Sequence, residues 1–268
     1  MKLALAQLEV EAAAVSANRR RAVEAVERAA AEGCDLVVLP ELFTVGYFAF
    51  DAYQRTAEGL DGETLAELRA VAHDHDIAIL AGSLVEDLEA STAAGHAVPA
   101  EEGLANMSVF LDRDGERRAV YRKHHLFGYD SAESELLVPG EALPTVDFAG
   151  FTVGVTTCYD LRFPELYRRL VEAGATLVLV PSAWPYPRVE HWRLFPRARA
   201  VENQFYVAAA NGVGRFEEAE LLGRSTIYDP WGTTLASADD DPALVTATVT
   251  PEKVDAVREE FPALADRR

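Results

Sequence analysis

The stretch FTVGVTTCYDLRFPELYR, residues 151–168, predicts a strand, a tight turn and a helix in direct succession. Its first seven residues are mostly β-branched or apolar, which is typical of a buried strand. Pro164 suits the first turn of a helix that we expect to run to about Ala173. Cys158 therefore falls at the strand-to-helix turn, where the dipole of the following helix is expected to favour a thiolate.

Alternating strand and helix patterns continue over the rest of the chain. Further strands are predicted at 2–8, 35–39, 77–85, 106–112, 117–122, 176–180 and 205–210, and near 222–229, 233–237 and 244–249. Further helices are predicted at 16–32, with Ser16 as N-cap, at 63–75, at 190–203 and after Pro251. Residues 87–104 are expected to form a loop or hairpin tip, and residues 124–140 to be irregular. We therefore expect one α/β domain over residues 1–268, with enough strands for two sheets.

The 268-residue chain is strongly acidic, with 44 Asp and Glu against 25 Lys and Arg and a formal net charge of −19. Such a surface repels nucleic-acid phosphates and anionic lipids, so neither nucleic acid nor a membrane is an expected partner. No window reaches the roughly 20 apolar residues that a membrane helix needs. Hydrophobic residues make up 49% of the chain, which is enough for a sizeable buried core.

Cysteine usage indicates a reducing compartment. The two cysteines, Cys34 and Cys158, cannot build a disulfide scaffold, and no CxxC pair indicates zinc. The N-terminal MKLALAQLEVEAAAV has acidic residues where a secretory signal would continue apolar. We therefore predict a cytoplasmic protein.

Polar residues follow three of the predicted strands. Glu41 comes after strand 35–39, Lys123 after strand 117–122, and Cys158 after strand 151–157. Catalytic groups of α/β proteins collect at such strand ends, so these residues are candidates for a Cys–Glu–Lys site. Each also has a structural interpretation, as a buried thiol, a solvated carboxylate and a surface ammonium.

Lysine is rare in this chain, and its placement favours a specific role for Lys123. Only Lys2, Lys123 and Lys253 are lysines among the 25 basic residues. A lysine retained in the middle of an arginine-rich chain indicates a need for a compact ammonium instead of a planar guanidinium. Stabilising the oxyanion of a tetrahedral intermediate is such a need.

Several ordered blocks of the sequence resemble the nitrilase superfamily of carbon–nitrogen hydrolases, in particular its amidase branches. The blocks are LVVLPELFTVGY (36–47), YRKHHLFG (121–128), GVTTCYDLRFPELYR (154–168), ARAVENQFYVAAANGVG (198–214) and STIYDPWG (225–232). The resemblance covers nearly the whole chain. It implies a four-layer α-β-β-α sandwich that commonly pairs into a homodimer or higher homo-oligomer, and it implies neither a cofactor nor a metal.

The resemblance also implies a catalytic triad of Glu41, Lys123 and Cys158. In that mechanism Glu41 takes the thiol proton and Cys158 attacks an amide carbonyl, giving a thioester and ammonia before water releases the acid. Lys123 and the backbone N–H of Tyr159 would hold the oxyanion.

A second glutamate is also implied, at Glu133, with Glu135 as the alternative because the segment varies in length among relatives. It would orient the substrate amide and Lys123. Asp160 and Arg162 are expected to hold the cysteine turn together instead of acting on substrate.

The segment PSAWPYPRVEHW, residues 181–192, is similar to bacterial ω-amidase-like members, which hydrolyse the terminal amide of 2-oxoacid monoamides. Arg188 is a candidate clamp for a substrate carboxylate, with a helix-start salt bridge as its alternative role. Tyr47 and Trp184, together with Phe48, are candidate pocket walls, although all three also suit ordinary packing. Pro196 is a departure, because proline inside the helix predicted here disfavours it unless that helix starts late or kinks.

Other functions remain open on the sequence alone. A nitrilase and an N-carbamoyl-amine or β-ureidopropionate hydrolase would use the same three residues. A non-catalytic binding protein of the same fold is the alternative from another class, and the presence of all three residues argues against it.

Overall fold

The computed structural model describes residues 1–129, 131–217 and 219–267, and within them two mixed six-stranded sheets lie between helices. The strands are β1 (Lys2–Gln7), β2 (Leu36–Val38), β3 (Ala78–Asp87), β4 (Leu104–Leu111), β5 (Arg117–Arg122), β6 (Thr145–Phe148), β7 (Phe151–Val155), β8 (Leu177–Ser182), β9 (Tyr206–Asn211), β10 (Val213–Arg215), β11 (Glu220–Leu222), β12 (Thr226–Tyr228), β13 (Thr234–Ser237) and β14 (Ala243–Thr248). The helices are α1 (Val15–Ala31), α2 (Tyr53–Thr56), α3 (Glu63–His75), α4 (Leu88–Ala93), α5 (Glu133–Leu136), α6 (Pro164–Glu172), α7 (Val189–Asn203) and α8 (Pro251–Glu260). None of the helices in this described part of the chain is long and apolar enough to cross a membrane.

Both sheets have a parallel centre and antiparallel edges. The first runs in the order β14-β1-β2-β3-β4-β5, and the second in the order β13-β12-β9-β8-β7-β6. Strands β1, β2 and β3 pair in parallel in the first sheet, as do β7, β8 and β9 in the second. Because helices connect these strands, the carboxyl ends of each parallel set share one edge of their sheet.

The two sheets face each other across an apolar core. Leu5 and Leu80 of the first sheet pack in one cluster with Val153 and Leu179 of the second, and all four are buried. Helices α1 and α3 cover the outer face of the first sheet, and α6 and α7 cover that of the second. This order of layers confirms the α-β-β-α sandwich implied by the resemblance.

The start of helix α1 differs from the prediction. The helix begins at Val15 with Ala14 at its N-cap, so the capping role predicted for Ser16 is wrong. The buried side chain of Asn18 instead bonds back to both the N–H and the carbonyl of Glu11, at 3.0 and 2.7 Å. These two bonds fix the turn that leads into the helix, which begins two residues earlier than it would behind a cap at Ser16.

Several elements were not predicted, among them the short helices α2, α4 and α5 and strands β6 and β10, and one proline is better tolerated than expected. Residues 88–93 form helix α4, which Asp87 caps by accepting a hydrogen bond from the N–H of Ala90 at 3.0 Å. Residues 145–148 form edge strand β6, paired antiparallel with β7. Helix α7 begins at Val189 and runs through Pro196, so it does not start late.

Leu179→Ala is expected to lower the free energy of unfolding by about 2–5 kcal/mol, because it removes a fully buried side chain from between the sheets. The measurement is urea unfolding followed by circular dichroism. Leu235→Ala is the matched control, since Leu235 is 41% exposed on edge strand β13 and its truncation is expected to cost less than about 1 kcal/mol. Equal losses in the two variants would contradict a core between the sheets.

Candidate active site

Three polar side chains that follow three different strands come together in one buried cluster. Glu41 follows β2, Lys123 follows β5, and Cys158 follows β7. The side chains of Glu41 and Lys123 are fully buried, and Lys123 Nζ donates to Glu41 Oε1 at 2.9 Å. Cys158 is 8% exposed and shares a cavity with Lys123. The fold therefore brings the three candidates from both sheets to one place.

Cys158 opens a tight 3₁₀ turn, Cys158–Arg162, and its backbone lies in the left-handed region at φ +47°. A residue with a Cβ adopts this conformation only when its surroundings enforce it. Asp160 supplies that constraint, because its Oδ2 accepts from the N–H of Thr157 at 2.8 Å, directly before the cysteine. The turn is thus held in a conformation that directs the thiol into the cavity, which Cys158 lines.

Asp160 also connects the cysteine turn to the lysine segment. Its Oδ2 accepts from the Tyr121 hydroxyl at 2.6 Å, and its Oδ1 lies 2.8 Å from His125 Nδ1 and accepts from the His125 N–H at 3.0 Å. Tyr121 and His125 flank Lys123 in sequence. One fully buried carboxylate therefore fixes the thiol and the ammonium relative to each other, as the sequence analysis expected of Asp160.

Of the two glutamates considered for the segment 131–140, the structure places Glu133 in the cluster and leaves Glu135 exposed. Glu133 begins helix α5, and both of its oxygens accept from Lys123 Nζ, at 2.8 and 3.0 Å. Its Oε2 also accepts from the Tyr47 hydroxyl at 2.9 Å and the N–H of Phe127 at 2.7 Å. This set of donors fixes the Glu133 carboxylate in place beside the ammonium.

The two oxygens of Glu41 have different partners. Oε1 accepts from Lys123 Nζ and from Asn106 Nδ2, both at 2.9 Å. Oε2 accepts from the N–H of Ala183 at 2.9 Å. The carboxylate is therefore held at both ends, and a lone pair remains on Oε2.

Burial and neighbouring charge set the protonation states. Burial raises the pKa of the Cys158 thiol well above its usual value, and the Glu41 carboxylate raises it further against the effect of Lys123. Burial raises the pKa of Glu41, which the Lys123 ammonium partly offsets. Burial alone would lower the pKa of Lys123, but Glu133 and Glu41 overcome it and hold that pKa well above its ordinary range. The resting site thus pairs a neutral thiol with a charged ammonium.

The predicted thiolate is therefore wrong, and its physical reason lies in the local geometry. Helix α6 begins at Pro164, six residues beyond Cys158, and a helix dipole acts only within its first turn. Burial of the sulfur away from water raises the pKa of the thiol more than so distant a dipole lowers it. The thiol consequently needs a base, and Glu41 is the neighbouring carboxylate.

The cavity above the cluster has a volume of about 280 Å³. Its aromatic walls are formed by Tyr47, Phe48, Phe50, Phe127, Tyr129, Tyr159, Trp184 and Tyr186. Tyr47 and Trp184 are buried, while Tyr159 is half-buried with its ring 5.0 Å from that of Phe127. In the described ranges, no group of three or more His, Cys, Asp or Glu side chains is arranged to hold a metal ion.

Two guanidinium groups line this otherwise aromatic cavity. Arg188 is half-buried and lies 5.8 Å from the ring centre of Phe127, and no described carboxylate comes within 4.0 Å of it. Arg162 lies 5.2 Å from the ring centre of Trp184, with Nη2 3.1 Å from His191 Nδ1. Arg162 therefore faces the cavity, unlike the purely structural role expected for it. Both cations are placed to meet an anionic group in the cavity.

Sequence reasoning missed Asn106 and the backbone N–H of Ala183, which contact Glu41 directly. A polar residue inside the apolar strand LANMSVFL was the available signal for Asn106. A backbone N–H carries no sequence signal, so Ala183 was not accessible to that reasoning.

The chain matches the family model described as carbon-nitrogen hydrolase over residues 2–259. The 2-oxoglutaramate amidase of Paenarthrobacter nicotinovorans is 40% identical over 238 residues, which cover 87% of this chain and 78% of that protein. The omega-amidase NIT2 of Homo sapiens is 34% identical over 276 residues, which cover 100% of this chain and 95% of that protein.

Solved structures of the same fold agree with these matches. Saccharomyces cerevisiae Nit3, a member of branch 10 of the nitrilase superfamily, superposes with a TM-score of 0.88 at 31% identity, covering 100% of this chain and 96% of that one. A glutamate-to-glutamine mutant of the amidase from Nesterenkonia sp. AN1 superposes with a TM-score of 0.84 at 28% identity, covering 100% and 94%. That structure shows covalent addition of the acetamide moiety of fluoroacetamide at the active-site cysteine. The chain therefore belongs to the carbon–nitrogen hydrolase family, within the nitrilase superfamily.

Proposed function

We propose that residues 1–268 form one amidase domain that hydrolyses a linear, non-peptide amide through a thioester on Cys158. The observation that carries this proposal is the buried contact of Glu41, Lys123 and Glu133 beside a neutral thiol at the cavity. A purely structural ion cluster would not need a strained cysteine facing an accessible cavity. The amidase names of the relatives support the same reaction class.

The first half-reaction transfers the acyl group to sulfur. Glu41 takes the thiol proton as Cys158 Sγ bonds to the amide carbonyl carbon, and the carbonyl oxygen becomes an oxyanion. The Lys123 ammonium and the N–H of Tyr159 stabilise that oxyanion, each worth about 10²- to 10³-fold in rate by analogy with other oxyanion holes. Glu41 then gives the proton to the amide nitrogen, and the C–N bond breaks. Ammonia departs, and the acyl group remains on Cys158 as a thioester.

The second half-reaction returns the free enzyme. Glu41 takes a proton from water, and the resulting hydroxide attacks the thioester carbonyl carbon. The C–S bond then breaks and Glu41 gives its proton to the departing sulfur, which leaves a carboxylic acid and the free thiol. Glu133 holds Lys123 through both of its oxygens, so that the ammonium keeps its direction while Glu41 cycles between two protonation states.

The proposed substrate is a small amide with a carboxylate at its other end, as in 2-oxoacid monoamides. Arg188 binds that carboxylate, with Arg162 as the second cation in the cavity, while Tyr47 and Trp184 form the walls. Because the chain carries a net charge of −19, a local cation offsets the unfavourable field that an anionic substrate meets. One relative is named for such a substrate, as 2-oxoglutaramate amidase, and another is named omega-amidase.

The same proposal includes a homodimer or larger homo-oligomer in the cytoplasm. Leu194 and Val201 lie seven residues apart on helix α7 and are 60% and 48% exposed. The ring of Trp231 lies 6.1 Å from that of Phe261, and Gly232 lies against Val201, so the exposed apolar side chains extend beyond the helix. We call the side chains of Leu194, Val201, Trp231 and Phe261 the α7 patch. Such an exposed apolar patch suits a contact with a second copy of the chain. The two free cysteines suit a reducing compartment.

Cys158→Ala is expected to reduce ammonia release at least about a thousandfold, because no thioester forms without the sulfur. The measurement is ammonia release from a carboxylate-bearing amide under saturating substrate. Cys34→Ala is the matched control, since it removes the other free cysteine, which is buried outside the cavity. Full activity of the Cys158 variant would refute the mechanism, whereas a wild-type protein that releases no ammonia from any amide would favour the non-catalytic binding protein.

Arg188→Ala is expected to raise KM for a carboxylate-bearing amide about 10- to 100-fold, because a charge-assisted hydrogen bond to the substrate is lost. KM for an uncharged amide such as butyramide is expected to change little. Steady-state kinetics with both substrates separate the two cases.

The control for that substitution is Arg118→Ala, which removes a cation that is 58% exposed and paired with Asp112 outside the cavity. An unchanged KM for the carboxylate-bearing amide in the Arg188 variant would contradict the proposal that Arg188 binds the substrate carboxylate. Faster turnover of a carbamoyl amine or of a nitrile than of any amide would assign the site to one of those reactions instead.

Val201→Glu is expected to dissociate the oligomer, because it places a charge in the centre of the α7 patch. Sedimentation velocity gives the mass in solution. Leu136→Glu adds the same charge at a 40% exposed position on helix α5 and is expected to leave the mass unchanged. A wild-type protein that sediments as a monomer would contradict the proposed assembly.

A further inference from the structure

Asn106 is a buried polar residue on strand β4 that contacts both carboxylates of the cluster. Its Nδ2 donates to Glu41 Oε1 at 2.9 Å and to Glu133 Oε1 at 3.3 Å. The two N–H groups of one amide therefore span the two acids that share the Lys123 ammonium.

The other end of this side chain has no partner. Asn106 Oδ1 is buried and accepts no hydrogen bond from any described residue. An unpaired buried carbonyl is destabilising, and an apolar residue of similar size would avoid that cost. Turning the amide around would place the oxygen against two carboxylates, so the observed orientation is the only one without repulsion. The side chain is consequently retained for its N–H groups.

These N–H groups determine which oxygen of Glu41 remains free to act. Oε1 receives Lys123 Nζ and Asn106 Nδ2, which occupy both of its lone pairs. Oε2 receives the N–H of Ala183 and, among the described residues, no other donor. A carboxylate with one saturated oxygen has its remaining basicity on the second one.

We propose that Asn106 is a positioning residue that holds Glu41 so that Oε2 accepts the proton of Cys158. The proposal rests on the proposed function, because it assigns the base atom of that mechanism. Asn106 is not among the residues that line the cavity, and its side-chain N–H groups reach the two carboxylates, while its backbone carbonyl accepts from the N–H of Lys123 at 2.9 Å. Loss of its amide frees Glu41 to rotate and removes one donor from its charged form.

The consequence for protonation follows from the groups that face Glu41. These are the Lys123 ammonium, the Glu133 carboxylate, the Cys158 thiol and the hydroxyl of Tyr47. Lys123 favours the ionised form of Glu41 and Glu133 disfavours it, so the Asn106 N–H adds to the side of Lys123. Without that N–H the pKa of Glu41 rises. Glu41 then stays protonated up to a higher pH, and over that range it cannot accept the proton of the thiol.

The test is the rate at which iodoacetamide alkylates Cys158 as a function of pH, with the modified cysteine located by mass spectrometry. We expect Asn106→Leu to move the acid limb of this profile to higher pH and to slow alkylation on that limb about 10- to 100-fold. In turnover, kcat is expected to fall by a similar factor while KM changes less than about threefold.

The matched control is Asn203→Leu. Asn203 is also buried with an unpaired Oδ1, but it lies at the end of helix α7 and bonds only to the carbonyl of Arg199. Asn106→Asp is the second variant, since it nearly preserves shape while removing both donors and adding a negative charge, and it is expected to shift the limb at least as far. An acid limb that stays in place in either folded Asn106 variant, or that moves equally in Asn203→Leu, would overturn the proposal.

Alkylation also separates this proposal from the one on which it rests. The assignment of Glu41 as the base predicts that the alkylation rate of wild-type Cys158 has an acid limb and that Glu41→Gln abolishes it. If either result fails, the base assignment itself fails, whatever the Asn106 variants show. If wild type shows that limb and the Asn106 variants reproduce it unchanged, only the positioning role fails.

Discussion

The Lys123 ammonium has no exposed surface, and two carboxylates share it. Removing a charge from water costs several kcal/mol per ion, and only close, well-directed opposite charges compensate for it. Here the formal sum over Glu41, Glu133 and Lys123 is −1, so the cluster is not neutral. The excess is carried by Glu41, whose pKa burial raises, while Glu133 collects donors from Lys123, Tyr47 and Phe127. A carboxylate with an elevated pKa, as the proposed base requires, arises because the cluster holds one more acid than it can fully stabilise.

This arrangement depends on the two sheets being packed face to face. Glu41 and Lys123 follow strands of the first sheet, whereas Cys158 follows a strand of the second. Asp160 connects them through Tyr121 and His125, so the sheet interface and the site geometry are one constraint. The compact ammonium of lysine suits a position between two carboxylates, where the larger planar guanidinium of arginine would impose a fork geometry. This explains why one central lysine persists in a chain whose other basic residues are nearly all arginines.

Local patterns allowed an α/β domain with two sheets and the three strand-end residues to be predicted, whereas the order of the four layers came from the family resemblance. Helix 63–75 and strand 117–122 have the predicted bounds, since periodicity and flanking residues define them without tertiary help. The contact of Asn106 with Glu41 and the position of Arg162 in the cavity were not predicted, because both depend on groups that are distant in sequence. The predicted thiolate failed for the same reason: the dipole argument is local, whereas the burial of Cys158 is a property of the whole fold.

The features on which the candidate site depends are also locally unfavourable ones. Cys158 has a positive φ, Asn106 keeps an unpaired carbonyl, and Lys123 is charged without water. Each would be removed by selection for stability alone, since a simpler residue would fit each position at lower free energy. All three lie beside Glu41, although a positive φ and an unpaired buried amide oxygen also occur elsewhere in the described chain, as at Asp76 and Asn203. What distinguishes the site is that the three unfavourable features meet at one carboxylate, because reactivity depends on groups that their surroundings do not fully satisfy.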